Sequence, residues 1–220
     1  MSNTEQDPRN FLWVSKHGPK TVTECVLPQG TRNQVDEIVE SGQLPNMLFY
    51  GPAGTGKTAL AKALANDLGY DTLMINGSDE GRLIDTLRTK IRDFASSVSF
   101  TGSRKLVIID EADFIPADTV QPALRAFIEE FATNCSFIFT CNFPNRLLEP
   151  IRSRCVNVSF KIQADEKQQI AYAMYKNACL MLDSERIEYE QKVIAEVIKK
   201  YFPDFRRAIN ELQGYAIGGK

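Results

Sequence analysis

Eight consecutive residues, Gly51-Pro52-Ala53-Gly54-Thr55-Gly56-Lys57-Thr58, fit the pattern G-x-x-x-x-G-K-[ST] without a mismatch. The chemistry this pattern serves is phosphate binding. Its glycines let the backbone curl so that successive N–H groups point inward, and a helix opening at the loop adds the positive end of its dipole. Lys57 then reaches the β- and γ-phosphates of ATP, and Thr58 offers its hydroxyl to Mg²⁺. Such a site also needs a carboxylate beside the metal and a base for water. Asp110 closes the apolar run Leu106–Asp110, where a metal-orienting carboxylate belongs, and Glu111 leans past it to polarise attacking water. Asn142 ends the run Cys135–Cys141. An amide at a strand tip both donates and accepts, so it can orient water; it reads equally as a turn-forming Asn ahead of Pro144. Asp113 is either an outer partner of the metal site or, more simply, a helix cap.

These side chains need a scaffold, and a strand-then-helix alternation from residue 47 to 160 supplies one. Met47–Tyr50 reads as a strand feeding Gly51, and Thr58–Leu68 as a helix with Leu60, Ala61, Leu64, Ala65 and Leu68 on one side. Leu73–Asn76 follows as a strand, and Leu83–Ala95 as a helix with Ile84, Leu87, Ile91 and Phe94 in its apolar stripe. Leu106–Asp110 is apolar throughout, as expected of a strand covered on both faces of a parallel sheet. A helix within Thr119–Phe131 carries Pro122 in its first turn, which favours Thr119 over Asp118 as its cap. Cys135–Cys141 and Val156–Phe160 complete five strands, which implies a three-layer α/β domain with a parallel sheet. After Phe160 only helices appear: Asp165–Leu182, Glu188–Tyr201 and Phe205–Ala216. The expectation is an α/β domain over 1–162 and a small helical domain over 163–220, hinged near Lys161–Ala164.

Composition narrows the class. The 220 residues are 43% hydrophobic and 25% charged, which excludes a disordered or collagen-like chain. There is no apolar run long enough to span a membrane and no secretory leader among the first residues. Five cysteines lie without a C-x-x-C pair, which argues against a zinc module or a disulfide framework and for a reducing cytoplasm. A net charge of −2 means that nucleic acid would have to be met by a local patch. Arg88 and Arg92, four apart on the Leu83–Ala95 helix with Arg82 just before it, form one such stripe. It either tracks the phosphates of a DNA strand or is a solvated face diluted by Asp85 and Asp93.

The order of these motifs resembles the AAA+ ATPases: a P-loop NTPase core with a five-stranded parallel sheet, followed by a small all-α lid. The tetrapeptide Asp110-Glu111-Ala112-Asp113 also spells a helicase signature, but that family needs a second complete domain for which no strands remain. Trp13–Thr21, Asn76-Gly77-Ser78-Asp79, Ser153-Arg154-Cys155 and Asp204–Asn210 look like sliding-clamp loaders. They are similar to the small subunits of replication factor C and, nearer still, to the ATPase subunit of T4-like phage loaders. The resemblance implies that Arg154 is an arginine finger entering the neighbouring subunit's ATP site, a contribution of about 10³–10⁵ in rate. It implies that Arg206 is the lid residue touching nucleotide, with Arg207 adjacent and easily mistaken for it. Arg125 would be a second interface arginine, and Gln121 a residue coupling DNA contact to the ATP site. Pro19 and Val22 would border adenine, although this chain has His17-Gly18-Pro19-Lys20 where the family carries an aromatic-Arg-Pro-Lys run; His17 takes the aromatic place. The implied activity is ATP-driven opening of a ring-shaped sliding clamp and its loading on primer–template DNA, in a spiral with other loader subunits, inside the cell. The alternatives are another DNA-remodelling AAA+ protein, such as a branch-migration motor or helicase loader, and a non-catalytic nucleotide-binding scaffold. The sequence ends after the second domain, where such loaders carry a helical collar. The expectation is therefore a chain without a collar, monomeric or weakly self-associating alone.

Overall fold

The computed structural model describes residues 11–79, 84–97 and 104–218, with main chain only at 84–86. In chain order the elements are α1 (Trp13–Lys16), α2 (Gln29–Ser41), β1 (Met47–Tyr50), α3 (Lys57–Asp67), β2 (Asp71–Asn76) and α4 (Ile84–Ser96). They continue with β3 (Lys105–Asp110), α5 (Gln121–Glu130), β4 (Cys135–Cys141), α6 (Glu149–Arg152), β5 (Val156–Ser159), α7 (Lys167–Ser184), α8 (Gln191–Tyr201) and α9 (Phe205–Ile217). Single 3-10 turns sit at Val22–Glu24, Ala112–Phe114 and Pro144–Arg146.

The five strands form one parallel sheet in the order β2-β3-β4-β1-β5. Successive residues of β3 show why its sequence is apolar throughout. Leu106 and Ile108 join a buried cluster with Val35 of α2 and Leu60 and Leu64 of α3, whereas Val107 and Ile109 join a second cluster with Leu87 and Ile91 of α4 and Leu124 and Phe127 of α5. Each such side chain contributes about 1.5–3 kcal/mol by leaving water. The sheet is thereby covered on both faces, and the carboxyl ends of β1, β3 and β4 lie side by side.

A third cluster belongs to α7–α9, where Met174, Ala178 and Met181 meet Ile194, Val197, Ala208 and Leu212. Trp13 is buried in that cluster, and its main-chain N–H donates to Gln213 Oε1 (3.1 Å) while Gln213 Nε2 donates to the Phe11 carbonyl (2.6 Å). The segment around α1 therefore packs on the helical part. Among the described residues no helix is long and apolar enough to cross a membrane, and the five cysteines are free.

Two local readings differ from the sequence expectation. Neither Thr119 nor Asp118 caps α5: its N-cap is Val120, because the preceding turn lets the Pro116 carbonyl accept from the N–H groups of Val120 and Gln121. The helix α2 has no counterpart in the sequence reading. It meets the core through a short face, with Thr31 and Val35 buried and Ile38 and Val39 partly buried against the sheet, amid nine other residues that are all polar, charged or glycine.

Candidate active site

The loop Gly51–Thr58 leaves the carboxyl end of β1 and runs into α3. Two of its glycines are required by geometry. Gly51 has φ +143° with Phe160 directly behind it, and Gly54 has φ +72° with Asp204 so close that a Cβ would lie 1.7 Å from its Oδ1. Lys57, at the first turn of α3, is buried, and its ammonium donates to the carbonyls of Gly51 (2.8 Å) and Pro52 (2.7 Å) and to Asn142 Oδ1 (2.9 Å). Burial pushes its pKa below the ordinary lysine value, Arg206 adds to that lowering, and Asp110 opposes it. An anion entering the loop would meet a desolvated cation in place.

Across from Lys57, Thr58 Oγ1 donates to Asp110 Oδ1 (2.6 Å), and Thr140 Oγ1 donates to the same oxygen (2.5 Å). The Glu111 N–H donates to Thr140 Oγ1 (3.2 Å). Glu111 itself has φ +53°, a left-handed backbone that a non-glycine residue adopts at a cost of about 1–3 kcal/mol. That kink turns the chain at the very tip of β3. Thr140 escaped the sequence reading because a threonine in CSFIFTC looks like any β-branched strand residue.

A hydroxyl and one carboxylate suit Mg²⁺, which is held through one or two carboxylates plus substrate phosphates and keeps several waters. Among the described residues no group of three His, Cys, Asp or Glu side chains could hold a metal ion by itself. Asp113 caps no helix among the described residues. It is buried, and its Oδ2 accepts from the main-chain N–H of Asn142 (3.2 Å) and Phe143 (3.1 Å), pinning the tip of β4 that carries Asn142.

Beside the loop lies a cavity of about 580 Å³ between the sheet domain and the helical part. Gly54, Thr55, Gly56 and Thr58 form one end; Pro19, Val26 and Leu27 line one wall, and Met174, Ile209 and Arg206 the lid wall. One polar, phosphate-sized end and one apolar end is the shape a nucleotide needs. Arg206 faces the cavity, while Arg207 turns away with its guanidinium 5.0 Å from the Tyr201 ring centre. Val22 does not border the cavity: it opens a 3-10 turn whose inner side packs in the cluster with Val35 and Leu64, and Val26 takes the wall position. His17 lines the cavity and pairs with Glu185, which Lys16 also contacts (2.6 Å).

The remaining expected residues lie elsewhere. Arg154 precedes β5, and Val156 pairs with Met47 while Ser159 pairs with Tyr50. Arg154 is thus level with the chain before β1, roughly 20 Å from the loop past its end at about 3.3 Å per residue. It cannot reach its own Lys57. Its Nε (3.0 Å) and Nη2 (2.5 Å) both donate to Glu129 Oε1, and its Nη1 donates to the Pro150 carbonyl (2.7 Å). Arg125 is exposed and has its Nε 3.5 Å from the same Glu129 oxygen. Gln121 is fully buried and so offers no interface surface. Its amide donates to the carbonyls of Ile115 and Arg146 (3.0 Å each) and accepts from the Leu148 N–H (2.7 Å), tying the loop before α5 to the one before α6. Arg88 is exposed on α4. Arg92 is drawn toward α5, 3.4 Å from Glu130 and over the Phe127 ring at 5.8 Å, because an opposite charge and an aromatic face lie within its reach. Arg82 lies outside the described residues.

Comparison with known proteins follows the same division. Residues 47–162 match the ATPase family associated with various cellular activities (AAA), and residues 166–220 match the lid domain of the sliding-clamp-loader large subunit, an AAA+ ATPase. The sliding-clamp-loader large subunit of Escherichia phage RB69 is 39% identical over 214 residues, covering 96% of this chain and 66% of its own length. That of Enterobacteria phage T4 is 37% identical with the same coverage. The replication factor C small subunit of Haloarcula marismortui is 34% identical over 228 residues, covering 100% of this chain and 67% of its own. The chain thus spans slightly under two thirds of the length of the two phage relatives. In fold it resembles the Thermotoga maritima RuvB Holliday junction branch migration motor, with a TM-score of 0.68 at 21% identity over 88% of this chain and 63% of that one.

Proposed function

Because the chain belongs to the AAA ATPase family and carries a lid of the sliding-clamp-loader type, we propose that it is an ATP-hydrolysing subunit of a sliding-clamp loader. It would work with sibling subunits to open a ring-shaped clamp and place it on primer–template DNA inside the cell. The observation that carries this reading is the split of the catalytic set. Lys57, Thr58, Asp110, Glu111 and Asn142 converge at one end of the sheet, while Arg154 stands at the other end.

In this reading the N–H groups of Ala53, Gly54, Thr55 and Gly56 cradle the phosphates, since Pro52 has none and that of Gly51 donates to the Cys141 carbonyl (3.3 Å), and Lys57 neutralises charge on the β- and γ-groups. Thr58 and Asp110 would hold Mg²⁺, which would screen the charge of the phosphate oxygens. Glu111 takes a proton from the water that attacks the γ-phosphorus, the bond to the β–γ bridging oxygen breaks, and ADP and phosphate leave. Asn142 orients that water. Pro19 and the apolar wall hold the adenine, and Arg206 brings the lid onto the nucleotide. Arg154, supplied by the next subunit with Arg125 beside it, stabilises the charge that develops as the bond breaks. Hydrolysis is thereby tied to assembly.

Glu111→Gln keeps size and hydrogen bonding but removes the base. In the assembled loader it should bind ATP normally and hydrolyse it at least about tenfold more slowly. An unchanged rate would remove Glu111 from the mechanism. Retention of the assembly on an immobilised ring clamp only when ATP is present distinguishes a loader from a branch-migration motor of similar fold.

A further inference from the structure

We propose that Glu129 is a positioning residue for the arginine acting in trans, fixing the Arg154 guanidinium in one orientation for presentation to the neighbouring subunit. This rests on the reading of Arg154 given above. An arginine on a half-exposed surface samples many rotamers, and immobilising it when the partner arrives costs side-chain entropy. Here that cost is met within the free subunit. Glu129 Oε1 accepts from both Nε and Nη2, and the Pro150 carbonyl accepts from Nη1 on the other side. Three of the five guanidinium N–H groups are engaged, so each Nη keeps one N–H for a phosphate oxygen. The two anchors come from different elements, Glu129 from α5 and Pro150 from α6, which pins the plane of the group as well as its place.

The same carboxylate oxygen lies 3.5 Å from Arg125 Nε, one helical turn earlier. The two arginines expected at the subunit interface therefore share a single anion. The Arg154 guanidinium holds the Glu129 carboxyl below its usual range, so the anchor stays charged at neutral pH. Glu129 and Arg154 are both partly exposed, and an exposed pair of this kind adds little to folding stability. Its value lies in preorganisation, since catalysis depends on the reacting groups being held in productive geometry before the bond breaks.

The test is steady-state ATP hydrolysis by the loader reconstituted with its companion subunits, comparing E129Q, R154A and the double variant with the parent. E129Q should lower kcat about tenfold and leave KM for ATP and the thermal midpoint of the isolated chain unchanged. Added to R154A it should lower the rate no further, because its whole effect runs through that arginine. E129A, which removes the carboxylate altogether, provides a second variant should E129Q fold poorly. A parental or faster rate in E129Q, an effect on KM alone, or an additive loss in the double variant would each overturn the role of Glu129. A parental rate in R154A would instead overturn the reading of the arginine itself.

Discussion

Asp110 presents one oxygen to two hydroxyls at once, from Thr58 on the loop side and from Thr140 on the neighbouring strand. Thr140 also accepts the Glu111 N–H, so one strand residue braces both acids of the site. Thr140→Val keeps the β-branched shape and removes that brace. A hydrogen bond to a charged group is worth about 1.5–3 kcal/mol, so ATP turnover should fall about tenfold at saturating Mg²⁺, with ATP affinity little changed. A parental rate would mean that Asp110 needs no such support. The loop itself was legible because its eight residues are contiguous and act largely through main-chain N–H groups. Thr140 and Glu129 were not: each matters through a partner some 25–30 residues away, brought near only by strand pairing or helix packing. Asp113 was misjudged for the same reason, since the N–H groups it satisfies belong to the next strand and not to a helix of its own.

At the level of elements, the start of α9 bears directly on the phosphate loop. The Phe205 N–H donates to the Gly54 carbonyl (3.2 Å), and Asp204, which caps α9 by accepting from the Arg207 N–H (3.0 Å), occupies the space a Gly54 side chain would need. The helix that carries Arg206 is therefore seated on the loop Gly51–Thr58. Gly54→Ala would place a Cβ against Asp204 and force a left-handed φ on alanine. Expected is an ATP dissociation constant raised at least about tenfold, read by isothermal titration, with a far-UV spectrum like the parent's. Parental affinity would show that lid seating and ATP binding are independent. The strands and long helices could be read from periodicity because each buries a regular face: β3 on both sides of the sheet, α7 through Met174, Ala178 and Met181. The face of α2 is narrow and only half apolar, with Thr31, Val35, Ile38 and Val39 on the core among polar neighbours, and the start of α5 depends on a carbonyl from the preceding turn, so both left weak patterns.

At the scale of the whole molecule, three buried clusters divide the chain into a covered sheet and a helical lid, and the N-terminal segment crosses between them. Trp13 lies in the lid cluster, while Pro19 borders the nucleotide cavity and Val22 is buried under α3. That crossing was invisible in the sequence, where residues before the first strand read as part of the sheet domain. Burial raises the thiols of Cys25, Cys141 and Cys155 to about 12, so they remain protonated within the folded chain at neutral pH. Arg154 is separated from the phosphate loop by the length of the sheet, and under the proposed function one chain would hold two halves of two different active sites. A mixing experiment addresses this directly. Lys57→Ala chains lose the loop lysine but keep Arg154, and Arg154→Ala chains keep the loop but lose that arginine. Each alone, assembled with companion subunits, should be nearly inactive. Mixed assemblies containing both should recover ATP hydrolysis well above either parent variant, because a loop from one chain meets an arginine from the other. Mixtures that stay as slow as the separate variants would contradict the account.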